Sequence, residues 1–387
     1  MNMLRGLLTV LFAGLFFLSA WGHALSQSSG PAKSSPAPAS QSKPAAPAAA
    51  QKGGKPEAAA KPVVEKKTIN MSVNVNAIST VTPLQLAKDL GYWRNEGFED
   101  VKVTFTGGGA DALTMLASGD VDVALIGTSD IIVAAARPGL DLITVYPIQL
   151  GIAFQSVVRS DVAKERGITP DLPLKDKLTR LKGLTFGTTS KAGLYYTRTI
   201  DLLDRFGFDA EKHMDAVFMG SPANFLTAFG QSKVQVITAA ADSLVPFYKN
   251  NQAVMLIDFA NIPTDIFPTI PHTSVVLAKS FAAKNPNTVQ GLVRAFVGVF
   301  QALRQDPKKA AEIVYTQFKQ VNRETFFGGL FESQALVGAV PDGYRMSKQE
   351  WNHVVEFAVR SRIVTKDQAS KIDTSEGVLW TNKFIPK

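Results

Sequence analysis

Small polar residues and glycines stand close behind three segments whose alternating apolar residues predict β-strands. These residues are Ser79 and Thr80, then Gly107, Gly108 and Gly109, and then Thr128, Ser129 and Asp130. Open α/β sheets bind ligands beyond the carboxyl ends of their strands, which is where these residues are expected to lie. Hydroxyl and amide groups at a helix start suit an anion or a carboxylate, whereas the Asp130 carboxylate suits an amine. The pattern predicts a ligand-binding cleft without catalysis.

Each of these residues also has a structural interpretation. Ser79 and Thr80 could instead cap a helix that is predicted to open at Thr82-Pro83, where the missing N–H of proline costs nothing in the first turn. The three glycines could form only a turn, although their freedom to adopt positive φ also lets a ligand approach the backbone. Asp130 could cap its own helix. The sequence leaves these alternatives open.

A second set of candidates surrounds the loop between a predicted strand, 184–187, and a predicted helix, 194–206. Its members are Ser190, Lys191, Gly193 and Tyr195. Ser190 and Lys191 combine a capping hydroxyl with a positive charge near the positive end of a helix, which favours an anion. Tyr195 lies one turn beyond Lys191, so its ring could stack on the same ligand, whereas Tyr196 has the spacing of a core residue. A solvated Lys191 is the alternative.

Asp242 stands at the end of another predicted strand, 234–239, in the position that Asp130 takes in its own unit. Two carboxylates that face one cleft favour a cationic or amine-bearing ligand, although each could simply cap a helix. The hydroxyl groups and Lys191 favour an anion instead. A zwitterion such as taurine, or a pyrimidine with polar substituents, would satisfy both sets of groups.

The chain lacks the motifs of common catalytic centres. It has no GxSxG, no GxxxxGK[ST] and no HExxH, its four histidines are scattered, and it has no cysteine. The lack of cysteine excludes disulfides and cysteine-based metal sites. We therefore expect no catalytic residue, no metal and no cofactor. A lyase or hydrolase built on the same fold is the alternative.

Two copies of the order strand, loop, helix and strand position the candidate residues, one around 101–130 and one around 184–243. The first opens with a strand at 101–105 that is expected to be half-buried, and residues 160–182 read as a charged surface segment between the two copies. Such βαβ units predict an α/β fold with parallel strands.

The two copies predict two lobes. We expect lobe 1 to span 68–155 and 270–387, and lobe 2 to span 156–269. The chain would then cross between the lobes twice, which makes a two-segment hinge beside an interlobe cleft. A cleft of this kind can close around one small ligand.

The first 67 residues differ in composition from the rest. Residues 1–24 read as a secretory signal peptide, with one arginine before an apolar run that is short for a membrane span. Residues 25–67 are rich in Ser, Pro, Ala, Gln and Lys and predict a flexible linker. Residues 1–67 carry six of the eight net positive charges, so the basic balance predicts no nucleic-acid partner. A retained signal segment would instead make the protein a membrane-tethered sensor or scaffold.

Three stretches resemble the periplasmic substrate-binding proteins of ABC importers, in the nitrate-, sulfonate- and taurine-binding superfamily that includes the NMT1-like, SsuA-like and thiamine-precursor-binding proteins. The stretches are LQLA, GYW and EGF within 84–98, ASGDVD at 117–122, and LKGL and FGF within 181–208. The resemblance implies a type II binding-protein fold, a periplasmic or extracytoplasmic location, a small organic ligand, and a membrane permease with a cytoplasmic ATPase as partners. We also expect a monomer.

Two positions depart from the family's pattern. Ala192-Gly193-Leu194 stands where many members carry Gly-Ser-Thr, so Ser190 and Lys191 would have to supply the anion contact. Gln235 stands where the second lobe usually carries an aspartate.

Overall fold

The computed structural model describes residues 63–74, 76–137, 139, 141–151, 154–263 and 266–387. The expected signal peptide, 1–24, and most of the expected linker, 25–67, lie outside these residues. In the part of the chain that is described, ten strands form two five-stranded sheets. The strands are β1 (Thr68–Val73), β2 (Asp100–Phe105), β3 (Val123–Gly127), β4 (Leu142–Leu150), β5 (Phe154–Arg159), β6 (Thr185–Thr188), β7 (Asp215–Phe218), β8 (Val236–Ala240), β9 (Ala253–Asp258) and β10 (Pro271–Ala278).

Each sheet is the centre of one lobe. The lobe 1 sheet has the order β2-β1-β3-β10-β4, in which β1 pairs in parallel with β2 and β3 while β10 is antiparallel to β3 and β4. The lobe 2 sheet has the order β7-β6-β8-β5-β9, in which β6 pairs in parallel with β7 and β8 while β5 is antiparallel to β8 and β9. The chain crosses between the lobes after β4 and again after β9. The predicted two-lobed α/β fold is confirmed.

Helices cover both sheets. They are α1 (Ile78–Asp89), α2 (Tyr92–Asn95), α3 (Gly109–Ser118), α4 (Thr128–Ala135), α5 (Ser160–Arg166), α6 (Leu174–Thr179), α7 (Leu194–Arg205), α8 (Ala210–His213), α9 (Pro222–Gly230), α10 (Ala241–Lys249), α11 (Lys279–Lys284), α12 (Pro286–Gln305), α13 (Pro307–Tyr315), α14 (Arg323–Thr325), α15 (Lys348–Arg360) and α16 (Lys366–Ala369). One 3₁₀ turn (Phe259–Asn261) and two π-helical turns (Phe326–Leu330 and Glu332–Leu336) complete the structure. Within the described part of the chain, none of the helices combines the length and the apolar composition of a membrane span.

The central strand β3 of the lobe 1 sheet is buried on both faces. Along β3, Val123 and Leu125 pack into one apolar cluster with α1 and α12, while Ala124 and Ile126 pack into a second cluster with α15. This explains the continuous apolar run of β3, because a strand covered on both faces has no polar side. Lobe 2 has its own cluster around β5, β6 and β8. Each lobe therefore has a core of its own, which leaves the space between them for a cleft.

The structure corrects three local expectations. β2 is an edge strand, so Val103 and Phe105 are 37% and 42% exposed and the strand is not half-buried. The segment 160–182 contains α5 and α6, whose Val162 and Leu178 are buried. Finally, α1 begins at Ile78 instead of Thr82, which brings Ser79 and Thr80 into the helix.

The last residues of the expected linker belong to lobe 1. Val64 is buried in the core, and Glu65 accepts hydrogen bonds from the backbone N–H groups of Asn287 (3.1 Å) and Thr288 (2.8 Å). These are the first N–H groups of α12, which have no partner within their own helix. Lobe 1 therefore begins before Thr68, because Glu65 caps a helix that lies more than 200 residues away in the sequence.

Candidate ligand-binding site

A cavity of about 150 Å³ lies between the two lobes, at the carboxyl ends of β1, β2, β3 and β6. We call it the interlobe cavity. Lobe 1 contributes Asn74, Ala77, Ser79, Thr80, Gly107, Gly108, Gly109, Ala110, Asp111, Asp130, Gln149, His272 and Thr273. Lobe 2 contributes Phe154, Thr189, Ser190, Gly193, Leu194, Tyr195, Gly220 and Pro222. A ligand held here would be in contact with both lobes.

The cavity brings together nine of the residues that the sequence singled out. They are Ser79, Thr80, Gly107, Gly108, Gly109, Asp130, Ser190, Gly193 and Tyr195. They meet because parallel strands of one sheet end at the same edge, and the two sheets face each other along these edges. Sequence reasoning found most of these positions from the strand ends, and Tyr195 from its helical spacing to Lys191.

Ser79 and Thr80 reach the cavity from a helix and not from a loop. The helix α1 begins at Ile78, where the backbone N–H of Ala77 donates to the Thr80 hydroxyl at 3.3 Å and that hydroxyl donates to the Ala77 carbonyl at 3.1 Å. This reciprocal contact closes the first turn four residues earlier than the sequence suggested. Pro83 consequently lies inside the helix, where its missing N–H leaves the Ser79 carbonyl without the usual i+4 donor.

Thr128 and Ser129 do not line the cavity. Both residues are fully buried, and neither hydroxyl has a hydrogen-bond partner in the described part of the chain. The sequence placed their hydroxyls at an open helix start. The start of α4 is instead buried within the fold, and α15 packs against the same helix.

Lys191 also lies outside the cavity. Its side chain is 60% exposed, and its ammonium group pairs with Glu211 of α8 at 3.3 Å. The predicted shared face with Tyr195 is absent because α7 begins only at Leu194, so Lys191 belongs to the preceding turn. The anion contact expected from Lys191 therefore has no counterpart in the cavity lining.

Asp242 connects the lobes at a different place. One carboxylate oxygen accepts a hydrogen bond from the backbone N–H of Ile78 at 3.3 Å, so this residue of lobe 2 caps α1 of lobe 1. It lines a separate cleft of about 430 Å³ between α10 and the 318–322 segment. Burial raises the pKa of Asp242 to about 6. The predicted pair of carboxylates facing one cleft is thus split between two places.

Asp130 is a partly buried acidic group in the lining of the interlobe cavity. Its carboxylate occupies the space beside Gly109, where a β-carbon would lie 1.9 Å from Oδ2. Glycine is therefore required at position 109 for steric reasons. Burial raises the pKa of Asp130 to about 7, and hydrogen bonds from backbone groups at Asp130 and Gly127 oppose this rise only in part.

Three polar side chains that the sequence did not single out complete the lining. The side-chain atoms Asn74 Oδ1, Gln149 Nε2 and His272 Nε2 are buried and have no hydrogen-bond partner within the described residues. Burial, together with the positive charge of Arg198, lowers the pKa of His272 to about 3, so its ring is neutral. Buried polar atoms without partners are uncommon in folded proteins and indicate a missing water or ligand.

Only Asn74 carried a sequence signal of the kind used for the other residues, because it directly follows β1. Gln149 lies in β4, just before the chain first crosses to lobe 2, and His272 lies in β10, just after the chain returns to lobe 1. The two strands are neighbours in the lobe 1 sheet. Their approach to the site depends on antiparallel pairing between segments more than 100 residues apart. Local patterns contain no information of this kind.

Aromatic rings form the apolar wall. The Phe154 ring contacts the Tyr195 ring with 4.5 Å between centroids and the His272 ring with 5.0 Å, both edge to face. Tyr195 also packs against Phe225 and is only 8% exposed, so its ring is held by neighbours. Tyr196, which the spacing assigned to the core, is buried there as predicted.

The described residues contain no group of three or more acidic, histidine or cysteine side chains that could hold a metal ion. The cavity instead offers single polar groups on an apolar lining. This is the usual composition of small-molecule sites, in which a few polar groups fix the orientation of a ligand that is otherwise held by apolar contacts.

Comparison with known proteins agrees with this geometry. The chain is 25% identical over 309 residues to YtlA of Bacillus subtilis (strain 168), covering 76% of this chain and 86% of YtlA. Among solved structures, it resembles the periplasmic nitrate-binding protein NrtA of Synechocystis PCC 6803, with a TM-score of 0.61, 14% identity, and coverage of 84% of this chain and 88% of NrtA. It also resembles the alkanesulfonate-binding protein SsuA of Xanthomonas axonopodis pv. citri bound to MOPS, with a TM-score of 0.60, 16% identity, and coverage of 79% and 96%.

At these identities the structural likeness concerns the fold, which is the two-lobe type II fold of periplasmic binding proteins. The amino-acid sequence itself also identifies a family. The model of the NMT1-like family matches residues 64–316, which is well over half of the chain and includes strands of both lobes. This protein belongs to the NMT1-like family.

Proposed function

We propose that this protein is an extracytoplasmic solute-binding protein of an ABC importer, which binds one small organic ligand between its lobes and delivers it to a membrane permease. The observation that carries the proposal is the interlobe cavity, whose lining includes buried polar atoms without partners from Asn74, Gln149 and His272. Groups of this kind are stabilised when a ligand supplies the missing hydrogen bonds. We assign ligand contact to the nine sequence-predicted residues in the lining and to these three side chains.

The relatives support the same class of function. NrtA and SsuA are named as nitrate- and alkanesulfonate-binding proteins, and NrtA as periplasmic. Their names describe binding and not catalysis, which agrees with the lack of a catalytic motif in this sequence. We accordingly infer a periplasmic or otherwise extracytoplasmic location and a receptor role without chemical conversion of the ligand.

The mechanism follows from the division of the lining between the lobes. Ser79, Gly109 and Asp130 move with lobe 1, while Ser190 and Tyr195 move with lobe 2. A ligand that contacts both sets binds the closed arrangement more tightly than the open one, so it shifts the population towards closure. The permease would then recognise the closed form.

Thermal unfolding of the purified protein tests this proposal. We expect at least one member of a broad panel of sulfonates, amines, carboxylates, amides and pyrimidines to raise the melting temperature. A ligand at about 100 times its Kd stabilises by about 2.7 kcal/mol, which corresponds to roughly 4 °C for a chain of this size. Mass spectrometry of molecules that co-purify with the protein extends the panel.

A melting temperature that stays flat across the panel, with no co-purifying molecule, contradicts the proposal. Amino-terminal sequencing of the exported protein tests the location separately. A mature chain that begins near Leu25 supports a released binding protein, whereas an intact residue 1–24 segment supports a membrane-tethered one.

A further inference from the structure

The charged side chains that line the interlobe cavity are acidic. Among the described residues of the lining, Asp111 and Asp130 are the charged ones, and neither lysine nor arginine is present. The cation that the sequence placed at this site, Lys191, pairs with Glu211 on the outer surface. An oxyanion in the cavity would therefore meet carboxylates without a positive group to bind it.

The Asp130 carboxylate is held at the cavity and has no ion-pair partner in the described part of the chain. It packs directly against Gly109, whose lack of a side chain gives it room. Asp111 differs because its side chain is exposed at the mouth of the cavity. Asp130 is partly buried, and a partly desolvated carboxylate without a counter-ion is unfavourable, so a cation on a ligand would reduce that penalty.

The other titratable groups of the lining carry no charge. His272 is neutral because its pKa is about 3, and burial raises the pKa of the Tyr195 hydroxyl above its usual value. Arg198 is close enough to His272 for its positive charge to lower the pKa of that ring. However, Arg198 does not line the cavity, and the negative charge of Asp201 opposes its positive charge. The partly buried Asp130 and the exposed Asp111 thus set the charge of the lining.

Two further side chains are buried and point to a ligand independently of the acidic groups. Gln149 is 3% exposed and His272 is 2% exposed, and each has a ring or amide nitrogen without a partner among the described residues. They can bind a neutral polar group while Asp130 binds a charged one. The Phe154 and Tyr195 rings supply an apolar wall, and a cavity of about 150 Å³ is comparable to an engineered one that holds benzene.

We propose that the interlobe cavity selects a small organic cation, with a protonated amine or amidinium group bound by the Asp130 carboxylate and a body of about one ring packed on Phe154 and Tyr195. This inference rests on the proposed function and names the class of its ligand. It excludes nitrate and sulfonates, the ligands in the names of the structural relatives NrtA and SsuA.

Isothermal titration calorimetry with charge-matched probes tests the inference. Benzamidine, benzamide and benzoate share one ring and differ in the charge of one substituent, and nitrate and methanesulfonate serve as small oxyanions. The titrations use the mature protein at pH 8, where Asp130 is mostly ionised because its pKa is about 7. We expect benzamidine to bind about 10- to 150-fold tighter than benzamide, which is the range of a charge-assisted hydrogen bond, and benzoate to bind more weakly still.

Two variants assign the effect to the cavity. Asp130→Asn keeps the shape and removes the charge, so the preference for benzamidine over benzamide should fall to within about threefold, less than the range of a charge-assisted hydrogen bond. Asp215→Asn removes an exposed carboxylate on β7 and should leave the preference unchanged. Melting curves confirm that each variant is folded. The same comparison is made with the tightest-binding amine of the broad panel.

The outcomes separate this inference from the proposed function. Binding confined to anions or uncharged molecules, or cation binding that survives Asp130→Asn, overturns the cation inference while the binding-protein function stands. If molecules of every charge fail to bind, the proposed function fails and the inference fails with it. Cation binding that depends on Asp130 supports both.

Discussion

At the scale of single residues, the pair of Gly109 and Asp130 shows how closely this site is packed. The Asp130 carboxylate occupies the volume of a side chain at position 109. A glycine there is a steric requirement of the site. Its neighbour Gly108 has an extended backbone, and a β-carbon at that position would have nothing within 4 Å among the described residues. Of these two adjacent glycines, packing therefore requires only Gly109.

We expect Gly109→Ala to destabilise the fold by about 1–3 kcal/mol, since the added methyl group must displace the Asp130 carboxylate. Gly108→Ala is the matched control and should change the free energy of unfolding by less than about 0.5 kcal/mol. Urea denaturation of both variants measures the difference. Equal effects of the two substitutions would contradict the packing argument.

Asp130 also makes stability depend on pH. Burial raises its pKa to about 7 in the folded protein, against about 3.9 in an unfolded chain. The folded state therefore retains the proton at a pH where the unfolded state has lost it. The stability from the protonated form is complete below about pH 4 and is lost as the pH rises towards 7.

Asp130→Asn removes this dependence because the amide stays neutral. At pH 8 the variant should be more stable than the wild type, by on the order of 3 kcal/mol, and the two should converge near pH 4. Denaturant titrations at both pH values measure the difference. A variant that is less stable than the wild type at pH 8 would show that Asp130 is paired in the native state.

At the scale of elements, the end of α15 ties the C-terminal segment of lobe 1 to α7 of lobe 2. Asp201 of α7 is fully buried, and its Oδ1 contacts Arg360 Nε at 2.8 Å and Arg205 Nε at 3.2 Å. Ser361 donates to the Thr197 carbonyl at 3.0 Å beside this pair. The buried Arg198 is close enough to interact electrostatically with Asp201, Arg205 and Arg360, so the Asp201 carboxylate balances several positive charges.

Asp201→Asn should therefore destabilise the protein by about 1.5–3 kcal/mol, the range of hydrogen bonds to charged groups, because Arg205 and Arg360 remain partly exposed to solvent. Asp367→Asn is the control, because Asp367 is 75% exposed and pairs with Lys371 on the surface. It should cost no more than about 1 kcal/mol. Thermal unfolding compares the two. A loss at position 201 as small as at position 367 would mean that solvent, and not Asp201, balances these arginines.

At the scale of the whole molecule, the two lobes meet through a few specific contacts in addition to the ionic cluster. Leu194 of lobe 2 packs against Gly127 of lobe 1, where a β-carbon would lie 2.5 Å from its methyl group. Asp242 of lobe 2 caps Ile78 at the start of α1 in lobe 1. We propose that opening of the lobes breaks these contacts, so that they favour the closed arrangement.

Asp242→Ala should weaken closure by about 1 kcal/mol, the usual contribution of a helix cap, and so reduce ligand affinity about fivefold. Asp306→Ala is the control. The Asp306 carboxylate caps α13 by accepting a hydrogen bond from the Lys309 N–H at 2.9 Å, entirely within lobe 1. Its removal should reduce stability without changing ligand affinity. Calorimetry and small-angle scattering measure affinity and compactness. A fivefold loss of affinity in both variants would point to general destabilisation.

The sequence by itself determined the two-lobed α/β architecture and nine of the residues that line the cavity. Alternating strands and helices have periods of 2 and 3.6 residues, which are local properties of the chain, and the ends of parallel strands must meet at one edge. This is why Gly107–Gly109, Asp130 and Ser190 could be assigned to a common cleft from the order of residues alone.

Only the tertiary structure decided which charges face the cavity. Lys191 pairs with Glu211 outside the cavity, Asp242 caps a helix of the other lobe, and Thr128 and Ser129 are buried outside the lining. Gln149 and His272 line the cavity because β4 and β10 pair with each other in the lobe 1 sheet. Side-chain direction and pairing between distant segments depend on packing partners remote in the sequence, so no local pattern could supply them.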